Sequence, residues 1–226
     1  MSEKIYAVAI DGPAGAGKST IAKSVSKKLG VIYVDTGAMY RAMALYMIRE
    51  SVSPEDEAAI SAKCESADIS IDFVDGAQQV ILNGENVSGL IRTEEVSNMA
   101  SRSSVNPDVR RKLVQLQQKL ASEKSVVMDG RDIGTVVLPN AEVKIYLTAS
   151  SAVRAKRRYD ELTAKGETCD LATIEADIIE RDRRDMTREI SPLKQADDAV
   201  LVDTSDMTIE QVEDKILSIV SEKIGK

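Results

Sequence analysis

The feature that most constrains the fold is a glycine-rich segment that joins an apolar stretch to a helical pattern. Its residues match the spacing GxxxxGK(S/T) at every required position: Gly12, Pro13, Ala14, Gly15, Ala16, Gly17, Lys18, Ser19 and Thr20. A predicted strand over residues 5–10 precedes the segment, and a predicted helix over 18–29 begins at its lysine. Glycines let the backbone point its N–H groups inward, and the helix N-terminus adds a positive dipole. The segment therefore predicts a site for a nucleoside triphosphate.

Two side chains of this segment have predicted roles of their own. Lys18 is expected to reach the β- and γ-phosphates, and the Ser19 hydroxyl to offer an oxygen to Mg²⁺. Acids also follow three predicted strands, namely Asp11, Asp35 and Asp129. Each is either a carboxylate near the metal or an ordinary strand-end acid that caps a turn. The spacing gives the two alternatives equal weight for Asp129, and the same ambiguity holds for the other two acids.

The rest of the chain alternates between apolar stretches and helical patterns. Further predicted strands cover residues 31–34, 126–128, 143–147 and 199–202. Predicted helices cover 38–50, 108–122, 151–165, 171–189 and 208–224, the last with a capping box of Thr208 and Gln211. Mostly uninterrupted apolar strands indicate burial on both faces. The pattern predicts an α/β fold with a five-stranded parallel sheet flanked by helices, and ligands at the carboxyl ends of its strands.

Two segments interrupt this alternation. Residues 69–87 contain strand-like alternation and the turn pairs Asp75-Gly76 and Asn83-Gly84, which predict a small antiparallel meander of about three strands. Residues 154–194 hold ten basic and ten acidic residues, which predicts a neutral pair of helices rich in ion pairs. We expect Arg154, Arg157 and Arg158 to lie on the solvated surface of that pair.

The composition excludes several function classes. The chain has no His, so an imidazole base, a Ser-His-Asp triad and a His-ligated metal are excluded. A net charge of −7, one Phe and no Trp argue against a nucleic-acid polymer as partner. No apolar run of about 18 residues predicts a membrane span. The two cysteines form no CxxC pair, which favours a reducing cytosol and a cytoplasmic protein.

Arginines near the predicted ligand-binding edge favour phosphoryl transfer over a nucleotide switch. Neither the guanine signature (N/T)KxD nor a DxxG triplet occurs in the chain. Arg41 and Arg131 each follow a predicted strand end by a few residues, and Arg181, Arg184 and Arg188 lie in the second interruption. Guanidinium groups suit this chemistry because each can contact two oxygens of a phosphate.

Four sequence blocks together resemble the bacterial cytidylate kinase family: IDGPAGAGKST, DTGAMYR, GRDIGTVV and RDRRDMTREISPL. The resemblance covers essentially the whole chain. It implies a P-loop kinase that transfers the γ-phosphoryl group of ATP to CMP or dCMP with Mg²⁺. It also implies a core of residues 1–60, 105–150 and 190–226, a monophosphate-binding insert over 61–104 that contains the meander, and an arginine-rich helical lid over 151–189.

The resemblance also assigns residues. The loop of residues 12–20 is implied to hold ATP together with Arg184. The residues implied to neutralise charge on the transferred phosphoryl group are Lys18, Arg131, Arg181 and Arg188. For the acceptor nucleotide the implied contacts are Thr36, Arg41, Arg131 and Arg188, with Asp185 at the ribose. Ser101, Arg110 and Asp132 match the positions that recognise cytosine.

Base chemistry agrees with that last assignment. The Asp132 carboxylate suits the N4 amino donor of cytosine, and Arg110 and Ser101 suit its N3 and O2 acceptors. Uracil would place a carbonyl against the carboxylate and bind less well. The alternatives are a kinase for UMP or AMP, a kinase for a small alcohol such as shikimate, and a nucleotide-dependent regulatory module without turnover. No heptad seam demands a dimer, and we expect a monomer.

Overall fold

A computed structural model describes residues 5–225. The chain divides into two compact units. The first unit contains the residues up to Val31 and those from Val126 onward, and the second is Ile32–Ser125. The division into core, insert and lid stays a prediction.

The described residues form two sheets and eight α-helices. The strands are β1 (Ala7–Asp11), β2 (Ile32–Asp35), β3 (Ile69–Val74), β4 (Ala77–Leu82), β5 (Glu85–Asn86), β6 (Val126–Gly130), β7 (Val143–Thr148) and β8 (Val200–Asp203). The helices are α1 (Lys18–Leu29), α2 (Thr36–Arg49), α3 (Glu57–Cys64), α4 (Glu94–Ser103), α5 (Pro107–Glu123), α6 (Ser151–Ala164), α7 (Leu171–Thr187) and α8 (Ile209–Ile224), with a π-helical turn at Ile133–Val137. The larger sheet has the order β2-β6-β1-β7-β8 and the smaller one β3-β4-β5. The predicted α/β fold with a five-stranded sheet and a small antiparallel insert is confirmed.

In the first unit, β1 lies at the centre and pairs in parallel with both β6 and β7. Every residue of β1 is buried, as an apolar strand covered on both faces requires. The same expectation is wrong for β8, where only Val202 is buried and Leu201 is 51% exposed. The reason is that β8 ends the strand order, where less of the molecule covers it. The capping box of Thr208 and Gln211 at the start of α8 is confirmed.

The second unit is built around α2 and the meander. Met39, Met43 and Met47 are fully buried and recur every four residues, so they form one apolar stripe along α2. β3 pairs antiparallel with β4, and β4 with β5. Both predicted turns have the left-handed backbone that such pairs favour, with φ of 52° and 75° at Asp75 and Gly76. The predicted meander is confirmed.

Helices α6 and α7 pack against each other in the first unit. Exposed ion pairs run along them, including Lys156 with Asp160 and Arg183 with Glu180, as their balanced charge predicted. The expectation that Arg154 is solvated is wrong, because this arginine is only 5% exposed. None of the helices within residues 5–225 is both long and apolar enough to cross a membrane.

Candidate active site

The glycine-rich loop lies between β1 and α1 and approaches the neighbouring strand β7 closely. A Cβ atom on Gly12 would lie 1.9 Å from the carbonyl oxygen of Leu147, so only glycine fits there. Gly17 occupies the N-cap of α1, and a glycine has no side chain to accept hydrogen bonds from the first turn. The backbone N–H groups of that turn are therefore suited to an anion, as the sequence predicted for residues 12–20.

Lys18 is the buried cation of this loop. Its side chain lies among buried groups, with the residue 6% exposed, and its Nζ donates to the carbonyl oxygen of Pro13 at 2.7 Å. Burial holds the pKa of Lys18 well below its usual value, and the positive charges of Arg131 and Arg181 lower it further. Both arginines therefore disfavour the charged form of Lys18, while the carboxylates of Asp129 and Asp11 favour it. A polyphosphate placed near these cations would offset the effect of the arginines.

A hydroxyl and a carboxylate meet beside the loop. The Ser19 Oγ donates to the Oδ2 of Asp129 at 2.8 Å, and Asp129 is buried at the end of β6. Hard oxygen ligands of this kind suit Mg²⁺, which commonly takes one or two protein oxygens together with waters and substrate phosphates. The pair therefore fits the metal that a phosphate loop implies. This contact distinguishes Asp129 from the other two strand-end acids.

Asp11 holds the backbone that follows β6. Its two carboxylate oxygens accept from the N–H groups of Ile133 at 2.8 Å and Gly134 at 2.7 Å. Burial raises the pKa of Asp11 to about 6, although the two N–H groups oppose that rise. Asp11 is thus a strand-end acid that caps a turn, one of the two alternatives left open by the sequence. The residues it restrains directly follow Arg131 and Asp132.

The first unit brings together four predicted acceptor residues. The Nε of Arg131 donates to the Oδ2 of Asp185 at 2.9 Å, which ties the end of β6 to α7. Asp132 and Arg188 form a second pair, with 3.9 Å between Oδ1 and Nη2. The Nε of Arg188 also donates to the carbonyl oxygen of Ser191 at 2.6 Å. All four side chains are largely shielded from solvent, so the pairs orient the guanidinium groups.

The second unit places Thr36 and Arg41 at the start of α2. Asp35 caps this helix by accepting from the Ala38 N–H at 2.9 Å, and its other oxygen pairs with Arg41 at 3.0 Å. Asp35 is therefore also a capping acid. The side-chain amide of Gln78, in the meander strand β4, both donates to and accepts from the backbone of Asp35. Sequence reasoning missed this anchor because no local pattern links residues 43 positions apart.

Arg110 and Ser101 lie on α5 and α4 of the same unit. The Arg110 guanidinium stands 5.7 Å from the ring centroid of Tyr40, a cation–π distance, and Arg110 is 5% exposed. Its Nη1 also donates to the Ser104 carbonyl oxygen at 3.4 Å, while the Ser104 hydroxyl donates to the Ser101 carbonyl oxygen. Tyr40 and Ser104 therefore orient Arg110, and Ser104 also bonds the backbone of Ser101. Asp132, the third residue predicted to recognise the base, belongs to the first unit.

The predicted lid arginines are less constrained. Arg184 projects from α7 with its side chain 52% exposed, and its Nε lies 3.7 Å from Glu180. Arg181 is also exposed, although its charge is felt at Lys18. Thr20 lies exposed in the first turn of α1. The structure thus contains a well-restrained loop and a set of arginines on an exposed helix.

Comparison of the whole chain with known proteins shows the family to which it belongs. A model of the cytidylate kinase family matches residues 8–222. The cytidylate kinase of Listeria monocytogenes is 51% identical over 225 residues, which cover 100% of both chains. That of Caldicellulosiruptor bescii is 51% identical over 212 residues, which cover 94% of both. The chain belongs to the cytidylate kinase family.

Membership of this family confirms the resemblance carried by the four sequence blocks. The chain is an enzyme, a kinase built on the phosphate-loop fold. A solved structure of an uncharacterized protein from Eubacterium ventriosum has a TM-score of 0.54, at 11% identity, and covers 96% of this chain and 99% of its own. At that identity the likeness shows the fold alone.

Proposed function

We propose that the enzyme transfers the γ-phosphoryl group of ATP to CMP or dCMP, giving ADP and CDP or dCDP. The observation that carries the proposal is an intact phosphate loop with a buried lysine in a cytidylate kinase family chain matched over residues 8–222. A loop of this kind alone would suit many nucleotide-binding proteins. Membership of the cytidylate kinase family narrows the proposed acceptor to cytidine monophosphate or its deoxy form.

On the donor side, the loop of residues 12–20 would hold the phosphates of ATP, with Arg184 reaching them from α7. Ser19 and Asp129 would hold Mg²⁺, which when bound neutralises charge on the β- and γ-phosphates. Lys18 would bridge the same phosphates. The unfavourable effect of Arg131 and Arg181 on the charge of Lys18 supports this arrangement, because a polyphosphate bound near these cations would offset it.

On the acceptor side, Thr36 and Arg41 would contact the nucleotide, and Arg41, Arg131 and Arg188 its phosphate. Asp185 would contact the ribose hydroxyls while it orients Arg131. Ser101, Arg110 and Asp132 would contact cytosine. The shielded pairs of Arg131 with Asp185 and Arg188 with Asp132 support these roles, because a guanidinium held in place loses little freedom on binding.

The chemistry requires no protein base. The second pKa of a phosphate monoester is about 6, so the acceptor oxygen is largely ionised near neutral pH. A chain without histidine can therefore carry out the transfer through positioning and charge neutralisation. Closure of the helical lid over 151–189 would exclude water, which would otherwise hydrolyse ATP. We further propose that the protein is cytoplasmic, which the free thiols of Cys64 and Cys169 support, and that it is a monomer.

A panel of acceptors with Mg-ATP tests the proposal. ADP release is measured with CMP, dCMP, UMP, AMP and shikimate, each titrated through its KM. We expect CMP and dCMP to give the largest kcat/KM, with little ADP formed when no acceptor is added. A larger kcat/KM for UMP or AMP would assign the enzyme to another monophosphate. ADP release that does not respond to any acceptor would favour a regulatory module.

A further inference from the structure

Arg154 is a buried arginine without a role in the site described above. It lies on α6 and is 5% exposed, whereas Arg157 and Arg158 on the same helix are exposed. Burying a guanidinium is costly unless its N–H groups find partners. Its contacts are therefore specific to this position on the helix.

The Arg154 guanidinium donates in three directions. Its Nε reaches the carbonyl oxygen of Ala149, just before α6, at 2.9 Å. Its Nη1 reaches the carbonyl oxygen of Ala14, in the phosphate loop, at 2.9 Å. Its Nη2 reaches the Oδ2 of Asp182, on α7, at 2.6 Å. Because the guanidinium is planar and rigid, these contacts fix the three segments relative to one another.

The stem of the side chain also supports the loop. A Cβ atom on Gly15 would lie 3.4 Å from the Cβ of Arg154, so the arginine stem lies beside the loop and leaves room there for little more than a methyl group. Gly15 has a φ of 75°, in the left-handed region. The loop thus contacts Arg154 through the Ala14 carbonyl, and Gly15 faces the arginine stem. A shift of the arginine would move the backbone N–H groups of the loop.

Asp182 provides the connection to the arginines of α7. It lies between Arg181 and Arg184 in the sequence, and no residue of α7, all of which lies in the described part of the chain, is buried. Within that exposed helix, the pair of Arg154 and Asp182 is shielded, with side-chain exposures of 6% and 13%. The pair of Arg183 and Glu180 has exposures of 65% and 50%. Shielded charge pairs are far more sensitive to loss of one partner than exposed ones.

We propose that Arg154 is a positioning residue, which fixes the phosphate loop and the arginine-bearing helix α7 in one arrangement through Ala14 and Asp182. The inference rests on the proposed phosphoryl transfer, in which the loop holds the phosphates and α7 supplies charge to them. Arg154 itself touches no reacting atom in this account. Its effect is to keep Arg181 and Arg184 in register with the nucleotide on the loop.

Two variants and two controls test this role. Asp182→Asn weakens the link to α7 and leaves the loop contact intact, whereas Arg154→Lys removes the planar fork and both links. Arg158→Lys and Asp160→Asn make the same two kinds of substitution at exposed charged residues of α6 and are the matched controls. For each protein, kcat and both KM values are measured with ATP and CMP, ATP affinity is measured by calorimetry, and thermal unfolding shows that the protein is folded at the assay temperature.

The double variant Arg154→Lys with Asp182→Asn is measured in the same way. We expect Asp182→Asn to lower kcat about tenfold, because small displacements of charge-stabilising groups are costly, with the KM for ATP changed by less than about twofold. Arg154→Lys should lower kcat by at least as much and also weaken ATP binding. The double variant should have the kcat of Arg154→Lys alone, since one link cannot be lost twice. Both controls should stay within about twofold of the unmodified enzyme.

Independent, multiplicative losses of kcat in the double variant would overturn the inference. So would folded Arg154 and Asp182 variants that behave like the controls. If the unmodified enzyme shows no turnover with any acceptor, the proposed function fails. The calorimetric comparison still tests Arg154 in that case: weaker ATP binding in Arg154→Lys, with unchanged binding in Asp182→Asn, supports the loop contact, and equal binding in both contradicts it.

Discussion

The phosphate loop and helix α7 both carry cations proposed to meet phosphate, but they hold them differently. The loop is locked by close packing: Gly12 has no room for a side chain, and Lys18 is buried and bonded to Pro13. On helix α7, by contrast, Arg184 is exposed, and its Nε lies 3.7 Å from the carboxylate of Glu180, which is also exposed. One region is preorganised, and the other is held at a few points.

The loop and α7 are therefore suited to different steps of the reaction. Preorganised donors lose little freedom when a ligand binds, so the loop is suited to binding ATP in every catalytic cycle. An element with few buried contacts opens at lower free-energy cost than a packed loop, so α7 suits a lid that opens once its shielded links to Arg154 and Arg131 are released. The buried contacts of Arg154 and Asp11 show where the restrained loop connects to its surroundings.

The largest loss of activity should come from substitution of Lys18 in the phosphate loop. Lys18→Ala should lower kcat by about 100- to 1000-fold, because a buried charge aimed at the transferred group is lost. Steady-state ADP release with CMP measures it. Lys23→Ala, an exposed change on the same helix, is the control and should leave kcat nearly unchanged. Equal effects at Lys18 and Lys23 would show that burial in the loop does not set the contribution of a cation.

The free energy of unfolding should also depend on pH through Asp11, which directly precedes the phosphate loop. The pKa of Asp11 is raised to about 6 in the folded protein, so the folded state keeps this proton while the unfolded state loses it near pH 4. The contribution of Asp11 to stability is therefore full below about pH 3.8 and is lost as the pH rises through about 6. The loss should reach about 3 kcal/mol by pH 7 relative to Asp11→Asn.

Urea unfolding of the unmodified protein and of Asp11→Asn, repeated between pH 4 and pH 7.5, measures this difference. The exposed change Asp160→Asn controls for the loss of one negative charge. A stability difference between the unmodified protein and Asp11→Asn that stays constant with pH would contradict the assignment of the raised pKa to Asp11.

Substitution of Asp132 tests the proposed contacts with the base of the acceptor nucleotide. Asp132→Ala should raise the KM for CMP about tenfold and reduce the preference for CMP over UMP, because the proposed acceptor for the N4 amino group is lost. Since Asp132 also faces Arg188, kcat should fall as well. The ratio of kcat/KM for CMP and UMP is the decisive measurement. An unchanged ratio would show that Asp132 does not recognise the base.

The smallest effect is expected on the exposed helix. Arg184→Gln should lower kcat/KM for ATP by about threefold, and Arg181→Gln by more, since the charge of Arg181 lowers the pKa of Lys18 and therefore acts on the phosphate-binding lysine. Parallel kinetics on the two variants measures the ranking. A larger loss at Arg184 would indicate that α7 moves much closer to the nucleotide than its exposed position suggests.

Features encoded by neighbouring residues were predictable from the sequence. The loop, the five strands and the turn pairs depend on spacing within a few residues, and all of them are found. Two helices were missed although a signal was present. Thr93 is followed by Glu94 and Glu95, and its side chain caps α4 by accepting from Val96; Asp56 caps α3 in the same way.

Contacts between distant residues were not predictable in this way. The burial of Arg154 depends on Ala14, 140 positions away, and no periodicity in α6 marks it out from Arg157 or Arg158. The hold of Asp11 on Ile133 spans 122 positions. Ser101 and Arg110 were found only through the family resemblance, because a serine and an arginine on two helices carry no pattern of their own.

A crystal structure with CMP and a non-hydrolysable ATP analogue bound would show whether the proposed residues contact both nucleotides. We expect the triphosphate on the loop of residues 12–20, with Ser19 and Asp129 at the metal. We expect Asp132 to accept from the N4 amino group of cytosine, with Arg110 and Ser101 at N3 and O2. A cytosine ring that contacts none of these three side chains, or a triphosphate bound away from Lys18, would contradict the proposed contacts.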